Sequence, residues 1–230
     1  MIIDFHGYEN ALIKAFLLTM ELAFVSLAFG LVLGILGGLA KTSSNAILRA
    51  LGTTYSTIVR GVPELLWVFL IYYGTVGAVK AFGLLWGIKN LELNTFAAGV
   101  VALSLCFGAY ATEVFRGALL SISKGQKEAG LALGLSASHI FFRITLPQLW
   151  RVALPGLGNL FMILMKDTSL VSVIGLSEIM RTSQLVVQGT KEPITFYTLA
   201  AVMYLSITVI CMFVLYFLER RVNRGFERGR

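Results

Sequence analysis

The sequence has few charged residues, cysteines and histidines. Only 13% of its 230 residues are Asp, Glu, Lys or Arg, whereas soluble domains carry about a quarter. This shortage argues against a soluble enzyme and against a disordered chain. Two cysteines, Cys106 and Cys211, lie inside apolar runs and cannot build a disulfide framework. The two histidines, His6 and His139, fall in separate polar segments, so we expect no metal site and no catalytic residues.

Apolar residues take the place of the missing charges. Hydrophobic residues make up 57% of the chain, and the mean hydropathy is +0.81. A soluble domain of this size has too little interior to bury so much apolar surface, and the composition therefore indicates an all-α integral membrane protein. The net charge of +7 does not indicate a nucleic-acid partner, because the basic residues flank the apolar runs instead of forming one solvated face.

Five segments are apolar enough to cross a bilayer, which takes about 20 residues. They are residues 15–40, 62–80, 93–112, 146–165 and 193–218, within a single transmembrane domain over residues 1–230. Five spans place the termini on opposite sides. With the N-terminus outside, thirteen of the 19 basic residues are cytoplasmic and six are external. The positive-inside rule therefore predicts an external N-terminus and a cytoplasmic C-terminus.

Glycines recur at one spacing inside the first span. Gly30, Gly34 and Gly38 follow one another at intervals of four residues, which places them on one face of a helix. Small residues at this spacing let a second helix approach closely in lipid. The pattern predicts tight helix packing but leaves open whether the partner helix belongs to this chain or to another.

A polar loop over residues 113–145 separates the third and fourth spans. Glu113 and Arg116 are expected to pair at a helix end. A short helix is predicted from Lys124 to Leu133 and should end at Gly134. Ser136 can cap a second helix that runs to Arg143, and Pro147 can open the fourth span. The loop therefore predicts two short helices that form a rigid platform at the cytoplasmic surface.

The same loop carries a known signature. Its residues match the spacing EAA-x3-G-x9-I-x-LP, with glycine in place of the second alanine: Glu128, Ala129, Gly130, Gly134, Ile144, Leu146 and Pro147. Further matching segments are residues 60–63, 155–159, 166–170 and 218–221. The chain thus resembles the permease subunits of bacterial ATP-binding-cassette (ABC) importers in the polar amino acid uptake branch, in particular the histidine/lysine/arginine/ornithine and opine subunits.

The resemblance implies a type I ABC importer permease fold with cytoplasmic EAA coupling helices, in the bacterial inner membrane. It also implies that the platform docks on a cytoplasmic ATPase dimer, which would bind ATP and magnesium, and that an external solute-binding protein delivers a polar, basic amino acid. The residues implied for ATPase coupling are Glu128, Ala129, Gly130, Gly134, Ser136, Ser138, His139, Leu146 and Pro147. Those for the substrate path or gate are Asn159, Lys166, Asp167, Thr168, Ser169 and Glu178.

One position departs from the family pattern. Many members carry an acidic residue after the Gly-Asn pair of the fourth span, whereas Leu160 follows Gly158 and Asn159 here. If that acid contacts a cationic substrate, a second homologous permease would supply it. We therefore expect a heterodimer of permeases.

Two other classes of function compete with this interpretation. A secondary transporter or channel that does not use ATP would need coupling residues deep in its helices, and a membrane scaffold would need no platform. The chain has no Gly-Lys dipeptide and so cannot form the usual phosphate-binding loop. We therefore expect any ATP site to lie on a partner, and no cofactor in this chain.

Overall fold

The computed structural model describes residues 6–86 and 94–223, with side chains for 6–77 and 94–222. The described residues contain helices and no strands, as the composition predicts. The α-helices are α1 (Glu9–Thr42), α2 (Ala46–Gly61), α3 (Glu64–Trp86), α4 (Thr95–Ser121), α5 (Lys124–Ala132), α6 (Ala137–Ile140), α7 (Leu146–Asp167), α8 (Ile179–Thr190) and α9 (Pro193–Asn223). A π-helical turn, Phe141–Thr145, joins α6 to α7, and a 3-10 segment, Thr168–Ile174, follows α7.

Within the described residues, four helical segments are long and apolar enough to cross a membrane: Glu9–Thr42, Thr95–Ser121, Ala137–Ile174 and Pro193–Val222. They contain the predicted first, third, fourth and fifth spans, apart from Asn94, which caps α4, and Leu93, which lies outside the described residues. The segment at the predicted second span, Glu64–Gly77, is apolar but shorter. Four basic residues in the predicted charge distribution also lie outside the described residues: Lys89, Arg224, Arg228 and Arg230.

The glycine face of α1 packs against α4. A Cβ atom added at Gly30 would lie 2.6 Å from Phe107 Cδ1, and one at Gly34 would lie 2.6 Å from Ala111 Cβ. One turn further on, the corresponding distance from Gly38 to Phe115 Cβ is 2.8 Å. The partner of the glycine face is therefore a helix of the same chain. Both residue numbers rise together, so α1 and α4 run in the same direction.

Helix α7 packs on α4, and α9 packs on α7. The rings of Phe115 in α4 and Trp150 in α7 meet edge to face at 5.8 Å, and Val171, which follows α7, approaches the other end of α4 at Gly99. The helices α4 and α7 are thus antiparallel. Gly158 lies against Leu215, so α9 packs directly on α7. The buried core is the seam where α1, α4 and α7 meet.

Helix α2 was not predicted. It begins at the N-cap Asn45, whose Oδ1 accepts the backbone N–H of Ile47 at 2.8 Å. The Tyr55 hydroxyl donates to the Leu105 carbonyl at 2.8 Å, and Val59 packs with Cys106. Helix α2 therefore lies beside the middle of α4, between the first and second predicted spans.

The interruption between α2 and α3 falls at Gly61, Val62 and Pro63. Proline has no N–H to continue the helix and disfavours helical geometry in the residue before it. The Trp67 indole N–H donates to the freed carbonyl of Val59 at 3.0 Å. This bond satisfies one of the acceptors that the interruption exposes.

Candidate functional site

The platform is built from α5 and α6, with a tight turn between them. Gly134, at φ 74°, adopts the left-handed conformation that glycine tolerates best. The Gly134 N–H donates to the Leu131 carbonyl at 2.9 Å, and the Leu135 N–H donates to the Gly130 carbonyl at 3.0 Å. These two bonds form a Schellman motif. The predicted role of Gly134 as the end of the first helix is confirmed.

The second platform helix is continuous with α7. The Ser136 hydroxyl accepts the His139 N–H at 3.3 Å and caps α6 as predicted. The helix does not end at Arg143, however, because the π-helical turn carries it into α7 without interruption. The second platform helix is therefore the N-terminal extension of a helix that is long and apolar enough to cross a membrane.

Gly130, which replaces the second alanine of the signature, lies under α6. It is the buried residue of α5, and a Cβ atom there would lie 2.9 Å from Ile140 Cγ1 and 3.0 Å from Ile140 Cδ1. Ile140 is itself only 2% exposed. The side chain of Ile140 thus fills the space that the missing methyl group leaves. This contact could not be predicted from the sequence.

A polar bond ties α5 to the start of α7. The Gln148 side-chain amide donates to Gln126 Oε1 at 2.5 Å and to the Ile144 carbonyl at 2.9 Å. Sequence reasoning missed both glutamines, since neither belongs to the signature. Together with the contact between Gly130 and Ile140, this bond makes the platform and the N-terminal end of α7 one connected unit.

The turn of the platform presents apolar side chains to its surroundings. The exposed fraction is 79% for Leu133 and 61% for Phe142. Most residues implied for ATPase coupling are also exposed: Glu128, Ala129, Gly134, Ser136, Ser138, His139 and Pro147. Leu146 is half-buried at the start of α7. The contacts of α5 with α6 and α7 thus hold the platform together, while its exposed surface is partly apolar.

A charged cluster joins α1, α2 and α4 above the platform. Glu113 accepts hydrogen bonds from the Lys41 ammonium, from Ser56 Oγ at 3.1 Å and from Arg116 Nε at 2.8 Å. Arg60 Nη1 lies 3.7 Å from the same carboxylate. The predicted pairing of Glu113 with Arg116 exists, but it is not at a helix end, because α4 continues to Ser121. The loop predicted over 113–145 therefore begins inside α4.

A second polar group surrounds the interruption between α2 and α3. The Tyr110 hydroxyl donates to Glu64 Oε1 at 2.8 Å. The Arg60 guanidinium carbon lies 5.4 Å from the centre of the Tyr110 ring. Asp167, at the end of α7, lines a shallow depression together with Tyr110, Cys106 and Leu160. We call Arg60, Glu64, Tyr110 and Asp167 the helix-break cluster.

Glu178 is fully buried at the opposite end of the molecule from the platform. Its Oε1 accepts the Arg181 N–H at 2.8 Å and so caps α8, and its Oε2 accepts the Tyr204 hydroxyl at 2.6 Å. Burial raises the pKa of the Glu178 carboxyl, while hydrogen bonds from Tyr204 and the backbone oppose that rise. The neighbouring Ile179 N–H donates to Thr19 Oγ1 at 3.2 Å. This group fastens α8 to α1 and α9.

The remaining predicted path residues lie along α7 and just after it. Asn159 and Lys166 are exposed, and Asp167 is half-buried. Thr168 is buried and donates to the Met165 carbonyl at 2.7 Å, while Ser169 donates to the Lys166 carbonyl at 2.7 Å. The structure thus groups Asp167 with the helix-break cluster and places Thr168 and Glu178 in the protein interior.

Among the described residues, no group of His, Cys, Asp or Glu could hold a metal ion.

The fold and the platform define a class of membrane transport subunit. The family of binding-protein-dependent transport system inner membrane components matches residues 30–224. The chain therefore belongs to this family.

Relatives of known function cover almost the whole chain. It is 41% identical over 227 residues to the octopine transport system permease protein OccQ of Rhizobium radiobacter, covering 98% of this chain and 95% of that protein. It is 41% identical to the arginine ABC transporter permease protein ArtQ of Haemophilus influenzae, covering 98% and 99%. It is 36% identical to the histidine/lysine/arginine/ornithine permease protein HisQ of Escherichia coli K12, covering 97% and 98%.

Solved structures share the fold. A chain of an amino acid ABC transporter crystallised with histidines matches with a TM-score of 0.80 at 29% identity, covering 96% of this chain and 100% of that one. A chain of the inward-facing MetNI methionine ABC transporter matches with a TM-score of 0.74 at 19% identity, covering 94% and 98%. The second likeness concerns the fold alone. The type I ABC importer permease fold implied by the signature is confirmed.

Proposed function

We propose that this chain is the permease subunit of an ATP-driven importer that carries polar, basic amino acids across the bacterial inner membrane. The observation that carries the proposal is the exposed two-helix platform, which is continuous with the membrane-crossing helix α7 in a chain of this family. The permease has no ATPase site of its own. A partner ATPase dimer binds ATP and magnesium, and its closure moves the platform and α7 together.

Helix directions support five crossings with an external N-terminus. Helices α1 and α4 run in the same direction, so the chain has to cross back once between them, through α2 and α3. Helix α7 then returns and α9 crosses once more. In this arrangement the platform, the end of α1 and the end of α9 share one face. That face also carries the larger number of basic residues, as the positive-inside rule requires.

Two kinds of observation support a basic amino acid as substrate. The relatives are named for the transport of octopine, arginine, histidine, lysine and ornithine. In this chain, Asp167 lines the same depression as Leu160, two helical turns further along α7. Asp167 can therefore supply a carboxylate to a cationic side chain although residue 160 is not acidic. We propose that this subunit contacts the substrate itself.

The partners follow from the same proposal. A second homologous permease faces the helix-break cluster to form a heterodimer, and an external solute-binding protein delivers the substrate near α8. Asn159, Lys166 and Ser169 line the path or its outer gate. Thr168 and Glu178, whose side chains are buried, hold the gate segment in place and do not touch the substrate.

Disulfide or bifunctional thiol crosslinking tests the docking of the platform. In a background without Cys106 and Cys211, a cysteine at Ser138 should crosslink to one placed in the ATPase cleft. A cysteine at Ser44, which is exposed between α1 and α2, is the matched control and should not. Transport that persists without any crosslink from Ser138 would contradict the proposal. It would favour a transporter or channel independent of ATP.

A further inference from the structure

The helix-break cluster lies at membrane depth. Phe107 in α4 packs on Gly30, which is well inside the apolar run 15–40, and Tyr110 is only about 4.5 Å further along α4. Non-helical backbone at such a depth is tolerated only where it is buried in protein or lines a water-filled cavity. The interruption at Gly61–Pro63 is therefore unsuited to lipid contact.

The charges of the cluster lead to the same conclusion. The Arg60 side chain is 42% exposed, and Glu64 and Asp167 are half-buried. Ionised groups inside a membrane are costly in lipid and mark substrate pathways or cavities. The exposed part of this cluster thus faces water or a substrate.

Arg60 and Glu64 have opposite charges, yet they do not pair with each other. Tyr110 lies between them, with its ring beneath the guanidinium of Arg60 and its hydroxyl on Glu64. Among the described residues, Arg60 makes no hydrogen bond shorter than 3.5 Å, and the second oxygen of Glu64 has no donor. The cluster thus presents a guanidinium group without a hydrogen bond and a carboxylate oxygen without a donor, on either side of one ring.

The ion pair with Glu113 does not use the hydrogen-bond donors of Arg60. The Glu113 carboxylate already accepts three hydrogen bonds, from Lys41, Ser56 and Arg116. Its contact with Arg60 is 3.7 Å long and is an ion pair without a hydrogen bond. An incoming carboxylate could therefore bind the Arg60 fork in a bidentate manner, the geometry that guanidinium favours, without leaving Glu113 unsatisfied.

We propose that the helix-break cluster binds the zwitterionic backbone of the transported amino acid, with Arg60 on the α-carboxylate and Glu64 on the α-ammonium group. Asp167 then receives the cationic side chain. This inference rests on the proposed function, and it adds that recognition of the backbone is separate from recognition of the side chain. The complete transporter should consequently reject amines that lack a carboxylate.

Ligand binding to the complete transporter tests the role of Arg60. The assembled complex is placed in lipid nanodiscs without solute-binding protein, and its affinities for L-arginine and for agmatine, which is arginine without its carboxylate, are measured. The wild-type complex should prefer arginine by about 10- to 100-fold, the range expected for a hydrogen bond between charged groups. Arg60→Gln should remove this preference by weakening arginine binding while leaving agmatine binding unchanged. Arg60→Lys should restore part of the preference.

Controls separate recognition from folding. Arg49→Gln changes an arginine of the same helix, which bonds to the Ser43 carbonyl, and should leave both affinities unchanged. Glu64→Gln should weaken both ligands, because both retain the amine. Equal losses for arginine and agmatine in Arg60→Gln, or no loss for arginine, would overturn the inference. A wild-type complex that binds neither ligand but still crosslinks through Ser138 would overturn it too, and would leave the proposed function intact.

Discussion

At Gly130, the absence of a side chain allows the close contact between α5 and α6. Glycine in a helix costs up to about 1 kcal/mol relative to alanine, so alanine would stabilise α5 considered alone. At this position, however, the added methyl group would lie 2.9 Å from Ile140 Cγ1. Ile140 is almost fully buried and cannot turn away freely. Packing against α6 therefore outweighs helix propensity at residue 130.

We predict that Gly130→Ala weakens the coupling between substrate and ATPase. The overpacked contact, which costs about 1–3 kcal/mol, should be relieved by a change in the angle between α5 and α6. The measurement is the substrate-stimulated ATPase rate of the assembled transporter, which should fall. The double variant Gly130→Ala/Ile140→Ala should recover part of that rate because it makes room for the methyl group.

Gly125→Ala is the matched control for this prediction. It adds the same methyl group to the same helix, where the nearest neighbour of the new Cβ atom would be Ser123 Oγ at an ordinary contact distance of 3.6 Å. It should leave the stimulated rate unchanged. Equal behaviour of the Gly125 and Gly130 variants would show that the contact with Ile140 does not matter for coupling.

Glu113 illustrates what local spacing can and cannot predict. Its pairing with Arg116 follows from their separation of three residues on a helix. The bonds from Lys41 and Ser56 could not be predicted, because those residues are 72 and 57 positions away in the chain. They depend on α2 lying beside α4, and α2 was missing from the predicted set of helices.

At the scale of elements, α2 escaped prediction because its sequence is mixed. Residues 46–61 include Arg49, Arg60 and several threonine and serine residues, so the segment does not resemble a membrane span. Its buried side is made of small groups, Gly52 and Ser56, together with Val59. Its larger apolar residues, such as Ile47, Leu51 and Ile58, are exposed and do not mark the buried side. By contrast, α5, the turn at Gly134 and the cap at Ser136 were predictable because each depends on local backbone chemistry.

One buried side chain, Glu178, both caps α8 and bonds it to α9. Glu178→Ala would remove the cap on the Arg181 N–H and leave the Tyr204 hydroxyl buried without its acceptor. We predict a loss of about 1–3 kcal/mol in the free energy of unfolding in detergent. Tyr204→Phe should also destabilise. The double variant should lose less than the sum of the two single losses, because both remove the same hydrogen bond.

Ser206→Ala provides the control for this cycle. Ser206 lies in the same helix as Tyr204, is exposed, and donates only to the Val202 carbonyl of its own helix. Its removal should change the free energy of unfolding by less than about 0.5 kcal/mol. Strict additivity of the Glu178 and Tyr204 variants would contradict the proposed attachment of α8 to α9.

At the scale of the whole molecule, the parallel packing of α1 and α4 constrains the topology. The glycine face at Gly30, Gly34 and Gly38 predicted close packing, yet the sequence left its partner open. The pairing with Phe107, Ala111 and Phe115 fixes the relative direction of the two helices. Two parallel crossings need an intervening crossing in the opposite direction. The interrupted pair α2 and α3 is the segment available for it.

Thiol labelling in cells tests the resulting topology. In a background without Cys106 and Cys211, Gln188→Cys in α8 and Ser138→Cys in the platform both place a thiol at an exposed position. A reagent that does not cross membranes should label the thiol at position 188 in intact spheroplasts. It should label the thiol at position 138 only after permeabilisation. The reverse pattern would invert the orientation, and labelling of both thiols in intact spheroplasts would mean that α7 does not cross the membrane. Either result would also remove the physical basis for coupling, because the platform can link a cytoplasmic ATPase to transport only if it lies in the cytoplasm and α8 lies on the opposite face.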